Sequence, residues 1–595
     1  MKRELRAGTV TGPAGVGAVI DVGTESFVIP GIERWKQQAL RVIDLPRLST
    51  RLHKVLKAPV LEKPYLVVRR FPEAMFCEKC RRMTRWRSDM EQEGREPTCS
   101  HSGCNGLLVP MRFVAACANG HLDDINWSRW AHSGKRGASG CRSYDKLRFT
   151  VNEEAGTGGL GSLVVSCDVC GNGRSLEDLV SKETAKHVIG TCSGRHPWVP
   201  GAGEACDLHP EILQRGATNL HYPVTVSALD IPADVVEDPV AVFGAQIASH
   251  KHFSMLKGLQ ASTTGDNQQF IKTLAGIISD EVACELDVVL AVAAADVGTA
   301  DAENGEPAAQ QSIDQNILLG EEWKTMARAL AEGGISSKHF RAAAEPLSER
   351  APRWARNVVS GVLLLERLRE VRAYLGFQRV RPDAIDNKVS PDVGHAENWL
   401  PATEVFGEGL VLSFDFERLD VWAQSLPDSE LEALRQLEEK RVSEEFWFLP
   451  AVDPVFIALH ALSHLLLRRI TFECGYSSSS LRERLYYDRE QRYAGIMIYT
   501  ADGDSEGSLG GLVRQGRVDR LAQSLFDAVE EGRWCSADPV CSETAGQGLG
   551  GFNRASCHAC ELVAETSCTH ANTLLDRRLL VDDQFGLIPF LENAG

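Results

Sequence analysis

The sequence predicts a multidomain α+β protein with a zinc-rich N-terminal part, a helical middle and a mixed α/β C-terminal domain holding a four-cysteine zinc site. Three observations predict it. Cysteines are paired at metal-ligand spacing in two separated regions. Between those regions, apolar residues recur at helical period. A chain of 595 residues is long enough for roughly three or four domains. The expected divisions are 1–72, an N-terminal β-rich basic segment; 73–230, a zinc-ribbon-like region; 231–399, a helical region; and 400–595, the mixed C-terminal domain.

Charge is unevenly spread. Residues 1–112 hold 20 Lys and Arg against 12 Asp and Glu, whereas the whole chain carries a formal −17. The basic part suits phosphate, and the acidic remainder alone would repel it. The start MKRELRAG lacks the apolar core of a secretory leader. No uncharged apolar run approaches the ~18 residues of a membrane span. A cytoplasmic protein without membrane contact is expected.

The first element to justify is GTVTGPAGVGAVIDV at 8–22. Gly12 and Gly17 outline a phosphate-cradling loop. Such a loop needs a lysine for the phosphates and a hydroxyl for Mg²⁺. Ala18 and Val19 occupy those positions, so the stretch reads as a glycine turn feeding a buried strand, Ala18–Val22. A basic helix-like stretch follows near Pro46–Lys57.

The zinc-rich region carries three clusters. The first is Cys77-x2-Cys80 followed by Cys99-x4-Cys104; two knuckles place four thiolates on one metal. The second is Cys167-x2-Cys170 with Cys192 and Cys206. The third joins Cys117 and His121 to His132 and Cys141, with Asp123 or Asp124 as the partner that orients His121. Arg81, Arg82, Arg85 and Arg87 flank the first knuckle with Trp86 among them. Arginine pairs with phosphate and an aromatic ring stacks on an exposed base, so these five are the nucleic-acid candidates; surface charge neutralising a thiolate site is the competing reading.

In the middle, VFGAQIASHKHFSMLKGL and DEVACELDVVLAVAAA each read as one helix. The polar stretch from Gly298 to Gln315 reads as an exposed linker. VVSGVLLLERLREVRAYLGF reads as a further helix. Its apolar stripe is Leu364, Leu368, Val371 and Leu375; Glu366, Arg369 and Glu370 avoid the stripe, and Gly376 ends it.

In the C-terminal part, GLVLSFD and GIMIY read as strands and a helix is expected around Val518–Glu530. Asp453-Pro454 suits the cap and first turn of an apolar helix. That helix carries His460-x3-His464 without the Glu of a zinc-hydrolase motif, since Ala461 follows His460. Packed core histidines are the favoured reading. A zinc-dependent hydrolase or nuclease on His460 and His464, or on the acidic loop Asp502–Glu506, is the alternative. Cys535, Cys541, Cys557, Cys560 and Cys568 compete for four places at the last zinc site; the set chosen is Cys541, Cys557, Cys560 and Cys568. Cys284 and Cys474 read as buried thiols. Closed thiolate sets contribute folding energy rather than a reacting water. The expectation is therefore roughly three or four structural Zn²⁺ ions and no catalytic or nucleotide-binding residue.

The stretch CHACELVAETSCTHANTLLDRRLL resembles the cysteine-rich C-terminal module of a group of superfamily 2 DNA helicases. The stretches GPAGVGAVIDV, CANGHLDDINW, LREVRAYLGFQRVRP, FGEGLVL, LHALSHLLLRR and MIYTADGDSEGSLGGL resemble the DrmB family of the prokaryotic anti-phage system DISARM. Here an Ala-Gly interrupts the family's opening glycine motif. The resemblance implies a helicase-associated C-terminal domain whose zinc cysteines fall on Cys541, Cys557, Cys560 and Cys568. It also implies a heteromer with a separate DrmA-like helicase subunit, the pair engaging DNA in phage defence. The sequence has no GK[ST] loop and no DEAH-type box, so ATP hydrolysis falls to the partner.

Overall fold

The computed structural model describes residues 7–593 apart from 61–62, 64, 93, 135–140, 142, 144–145, 153–158, 202, 233–242, 245–246, 248–249, 262–267, 283, 298–314, 383–387, 478 and 501–509. The expected linker, save Gln315 at the start of a helix, and the acidic loop Asp502–Glu506 lie outside the described residues. Helices and strands mix throughout, as an α+β chain requires. The chain forms two compact units. The first gathers residues 1–43, 54–226 and 372–403; the second gathers 44–53, 227–371 and 404–595.

The first unit contains small antiparallel sheets. Val19–Val22, Glu25–Val28 and Arg69–Arg70 make one, and Met83–Arg85, Ala74–Cys77 and Leu108–Pro110 a second. Leu122–Asp124, Phe113–Ala116 and Glu211–Gln214 make a third; Leu147–Val151, Leu163–Cys167 and Gly173–Ser175 a fourth. Sheets this small bury little apolar surface, and thiol clusters lie beside them. One such cluster is mostly cysteine: Cys77 and Cys99 pack with Met75 and Leu108. The strand at Val19–Val22 is half-exposed rather than buried. The expected basic helix is real over Pro46–Leu52, in the second unit, and gives way to a strand at Val55–Pro59.

The glycine stretch has a structural duty. Gly17 has φ +77°, and a Cβ there would meet the Phe377 ring at 2.7 Å. Its carbonyl accepts from Arg379 at 2.7 Å. Arg379 is fully buried and also donates to the carbonyls of Gly120, at 2.9 Å, and Leu220. Burial pulls its guanidinium down to about 9. The stretch is thus a packed turn around a buried arginine.

The second unit is built on a sheet covered on both faces. Strands Tyr493–Thr500 and Leu481–Asp488 pair antiparallel, and Trp399–Phe414 joins them with Leu412 opposite Ile496. Leu410, Leu412, Ile496 and Ile498 face one core with the helix Pro454–Cys474. Val411, Met497 and Tyr499 face another, under the helix Gln315–Glu332 through Trp323 and Met326. Asp453 caps the first of these helices by accepting from Val455 and Phe456, with Pro454 in its first turn. By length and composition that helix matches a membrane span, yet most of it is buried inside the unit. The helix at Val518–Gly532 packs along it.

The stretch expected as a helix at 358–377 is a strand, Val359–Gln378. Val362 and Leu364 enter one core; Leu363 and Leu365 enter the other. Burial on both faces erases the alternation that marks a strand. Two of the charges set off that stripe, Arg369 and Glu370, are buried, while Glu366 stays half-buried against Arg341. Arg369 pairs with Asp230 at 2.8 Å and Glu404 at 2.7 Å, and Glu370 accepts from the Tyr499 hydroxyl at 3.0 Å. Gly376 does not end a helix; a Cβ there would lie 2.1 Å from the Val389 carbonyl oxygen. The segment read as one helix over 280–295 is two, Gln268–Val282 and Leu286–Val297. The one expected over 242–259 is described as a helix over Phe253–Ala261.

Candidate metal centres

A tetrahedral Zn²⁺ with ~2.3 Å bonds to sulfur sets neighbouring sulfurs about 3.8 Å apart, and sulfur and imidazole nitrogen about 3.6 Å apart. A disulfide brings sulfurs to ~2.05 Å. All seventeen cysteines are free thiols, so the observed spacings discriminate between the two.

The strand Ala74–Cys77 ends in the first knuckle, where the Cys80 amide points at the Cys77 sulfur at 3.5 Å. The second knuckle completes the group: Cys77 lies 3.5 Å from Cys104 and Cys80 3.7 Å from Cys99. Gly106 leaves room for it, because a Cβ there would sit 2.5 Å from the Cys77 sulfur. Burial alone would raise the Cys77 thiol, but the amides of Cys80 and Lys79, together with the neighbouring Cys104 and Cys80 thiols, bring it down to about 7. A ready thiolate favours metal capture.

The other two groups of the first unit are partnered differently from the sequence reading. Cys117 and His121 converge with Cys192 and Cys206, while His132 and Cys141 converge with Cys167 and Cys170. Cys117 is 3.5 Å from Cys192 and 3.3 Å from His121 Nδ1. Cys141 is 4.0 Å from Cys167, and His132 Nε2 is 3.4 Å from Cys170. The reason is topological. The strand Phe113–Ala116, which leads into Cys117, pairs with Glu211–Gln214, just beyond Cys206. The helix Trp127–His132 packs on the strand Leu163–Cys167.

Outer partners fix both rings. His132 Nδ1 donates to the Ser128 carbonyl at 2.7 Å, leaving Nε2 for metal. His121 Nε2 meets Glu204 at 2.6 Å, leaving Nδ1. Glu204, not Asp123 or Asp124, orients His121. Asp123 pairs with Arg195 at 2.8 Å, and Asp124 accepts from the amides of Glu73 and Ala74.

In the second unit the thiolate group is Cys535, Cys541, Cys557 and Cys560. Cys535 lies 3.6 Å from Cys557, and Cys541 3.8 Å from Cys560. Cys535 thus takes the place given to Cys568 in the sequence reading. Asp538 accepts from the Cys535 amide at 2.9 Å and pairs with buried Arg577 at 2.5 Å. Arg468, on the helix Pro454–Cys474, donates to the carbonyls of Ala559 and Leu562 and clamps the Cys557–Cys560 knuckle. Cys568 lies instead beside His460, His464 and Glu483. Sequence reasoning missed Cys535 and Glu204; one cysteine too many for the four places was the signal for the first, and the second carries none.

The donor sets fit zinc: thiolate-rich, four-membered and spaced at tetrahedral edges. They do not leave an open position of the kind catalysis uses.

The nucleic-acid candidates are already engaged. Arg85 pairs with Glu73 at 2.8 Å, Arg87 with Asp89 at 2.9 Å, and Arg82 lies 3.7 Å from Asp168. Trp86 donates its Nε1 hydrogen to Glu91 at 2.8 Å. Arg81 sits over the Phe76 ring, 5.9 Å from its centroid.

Comparison with known proteins bears on these sites. Residues 6–222 match a domain of unknown function (DUF8724), which spans the three groups of the first unit. Residues 462–561 match the MrfA Zn-binding domain, which spans Cys535, Cys541, Cys557 and Cys560 but not Cys568. The chain is 30% identical to the DISARM protein DrmB of Bacillus paralicheniformis (strain ATCC 9945a / NCIMB 11709 / CD-2) over 584 residues, 94% of this chain and 97% of that protein. With that identity across nearly the full length of both, and with a zinc-binding domain where its thiolates converge, the chain belongs to the DrmB family of DISARM proteins.

Proposed function

We propose that this chain is a non-catalytic zinc-binding subunit that partners a DNA helicase or translocase and helps engage DNA in prokaryotic anti-phage defence. The observation that carries the reading is the closure of the thiolate groups. Side chains of the protein fill all four positions, so each bound zinc acts as a cross-link worth on the order of 10 kcal/mol of folding energy rather than as a Lewis acid. The membership of the DrmB family and the MrfA Zn-binding domain support the helicase partnership. The glycine stretch wrapped around Arg379 fits a chain that leaves ATP to its partner.

The hydrolase alternative draws no support from His460 and His464. Both rings are fully buried, and their Nδ1 atoms are spent on backbone carbonyls, so neither faces a substrate arriving from solvent.

The test is co-purification with a DrmA-like helicase subunit, followed by ATPase and DNA-binding assays of each chain and of the complex. The expected result is a stable complex, ATP hydrolysis that requires the helicase, and no cleavage of DNA by this chain with Mg²⁺, Mn²⁺ or Zn²⁺. ATP hydrolysis by the isolated chain, or no association, would overturn the reading. The arginine cluster is the candidate DNA contact of this chain; three of its members now face carboxylates in exposed ion pairs that phosphate could displace. If it contacts DNA, the variant with Arg81, Arg82, Arg85 and Arg87 all changed to Ala lowers the complex's affinity and its salt slope. Unchanged values remove the cluster from the DNA path.

A further inference from the structure

We propose that His460, His464, Glu483 and Cys568 form a further zinc site, closed and structural, that ties the core helix to the sheet and to the C-terminal loop. The four donors come from three places. The histidines are one turn apart on the helix Pro454–Cys474, Glu483 lies on the strand Leu481–Asp488, and Cys568 lies in the loop beyond the Cys557–Cys560 knuckle. Their ligand atoms all lie within 4.8 Å of one another, and all four residues are buried.

Three of the donor pairs stand near the edge lengths of a tetrahedral zinc shell. His460 Nε2 is 3.1 Å from Glu483 Oε1 and 3.3 Å from the Cys568 sulfur, and His464 Nε2 is 3.3 Å from the same Oε1. Bonds of ~2.0–2.3 Å to zinc give edges of about 3.3–3.6 Å for these atom pairs.

Each donor is held by an outer partner. His460 Nδ1 donates to the Leu574 carbonyl at 3.3 Å, and His464 Nδ1 to the Glu561 carbonyl at 3.1 Å. In the neutral rings both Nε2 lone pairs therefore point at one spot. Ser463 donates to Glu483 Oε2, leaving Oε1 for the centre. The amides of His570 and Asn572 both point at the Cys568 sulfur at 3.3 Å, as amides do around a thiolate ligand. This is the pattern by which proteins orient metal ligands.

Charge completes the argument. Two neutral imidazoles, one thiolate and one carboxylate around Zn²⁺ sum to zero, which a buried site tolerates. In this buried pocket both Nε2 atoms already converge on the Glu483 carboxylate, and a bound zinc would replace those contacts with metal bonds of balanced charge. Two nitrogens, one oxygen and one sulfur in tetrahedral reach select zinc over the harder Mg²⁺ and Ca²⁺. No position is left for water, so the site cross-links three segments and does no chemistry.

The test is elemental analysis and zinc-edge X-ray absorption on the purified full-length chain. The four thiolate-rich groups alone carry fourteen sulfurs, an average of 3.5 per zinc; with this site the average falls to 3.0 over five zincs. Cys568→Ser is expected to lose one zinc, Cys541→Ser a different one, and the double variant two. A wild-type average of 3.5 sulfurs, or a Cys568→Ser protein that keeps its full zinc content, would overturn the proposal. Should Cys568→Ser not fold, the wild-type sulfur average decides alone.

Discussion

His464 donates its Nδ1 hydrogen to the carbonyl of Glu561 at 3.1 Å, and Glu561 is the residue after Cys560. A thiolate knuckle and a buried imidazole of the core helix are thus joined through one peptide unit. Ordering the knuckle sets the carbonyl, and the carbonyl sets the tautomer and direction of the ring. Loss of either half therefore loosens the other.

This joint predicts coupled stabilities. Cys560→Ser and His464→Ala each destabilise the second unit, and together they cost less than the sum of the two. The interaction energy expected for such contacting groups is about 0.5–3 kcal/mol. A double-mutant cycle by urea unfolding at fixed zinc concentration measures it, and strict additivity would show that the two sites act independently.

Partner choice in the first unit is testable by counting. Cys117 and Cys192 belong to one group, so Cys117→Ser, Cys192→Ser and the double variant each lose the same single zinc. If the sulfurs were partnered by order along the chain, the double variant would lose two. Elemental analysis of the three purified proteins separates the outcomes.

Arg379 predicts a local stability cost. Arg379→Met keeps the volume but strips donors from the carbonyls of Gly17, Gly120 and Leu220. Each buried carbonyl left bare costs about 1–3 kcal/mol, so the first unit should lose at least ~3 kcal/mol. Hydrogen exchange resolves where the loss falls: protection drops in the first unit around residues 15–18. A variant as stable as wild type would show that the carbonyls find other partners.

Asp576 predicts a pH dependence. Burial raises its carboxyl to about 6, against the pull of Arg554 and Arg578. A group whose folded value lies above its unfolded one gives stability that is present below about pH 4 and lost as pH rises through about 6. Asp576→Asn removes that dependence. Relative to wild type, the variant should gain about 2 kcal/mol between pH 4.5 and pH 7.5. Paired urea titrations at the two pH values check this, and a constant difference would contradict it.

Much of the chemistry was legible in the sequence. Cys77-x2-Cys80, Cys167-x2-Cys170 and Cys557-x2-Cys560 announce knuckles because that spacing alone brings two sulfurs to one metal. The Asp453 cap, the strands at Gly495–Tyr499 and within Trp399–Phe414, and the helix at Val518–Gly532 were equally local. The strand Val359–Gln378 was not, because its leucines fill cores on both sides and mimic a helical stripe.

By itself the sequence determined which ligand types are present, that they come in pairs, and that the glycine stretch lacks the side chains for ATP. These are properties of neighbouring residues, fixed by bond geometry and side-chain chemistry over a few positions. Only the tertiary structure decided which pairs share a metal, that Cys535 rather than Cys568 completes the thiolate group, and that Cys568 meets His460, His464 and Glu483. A metal shell is closed by segments distant in sequence, and their meeting depends on strand pairing and helix packing that no local spacing encodes.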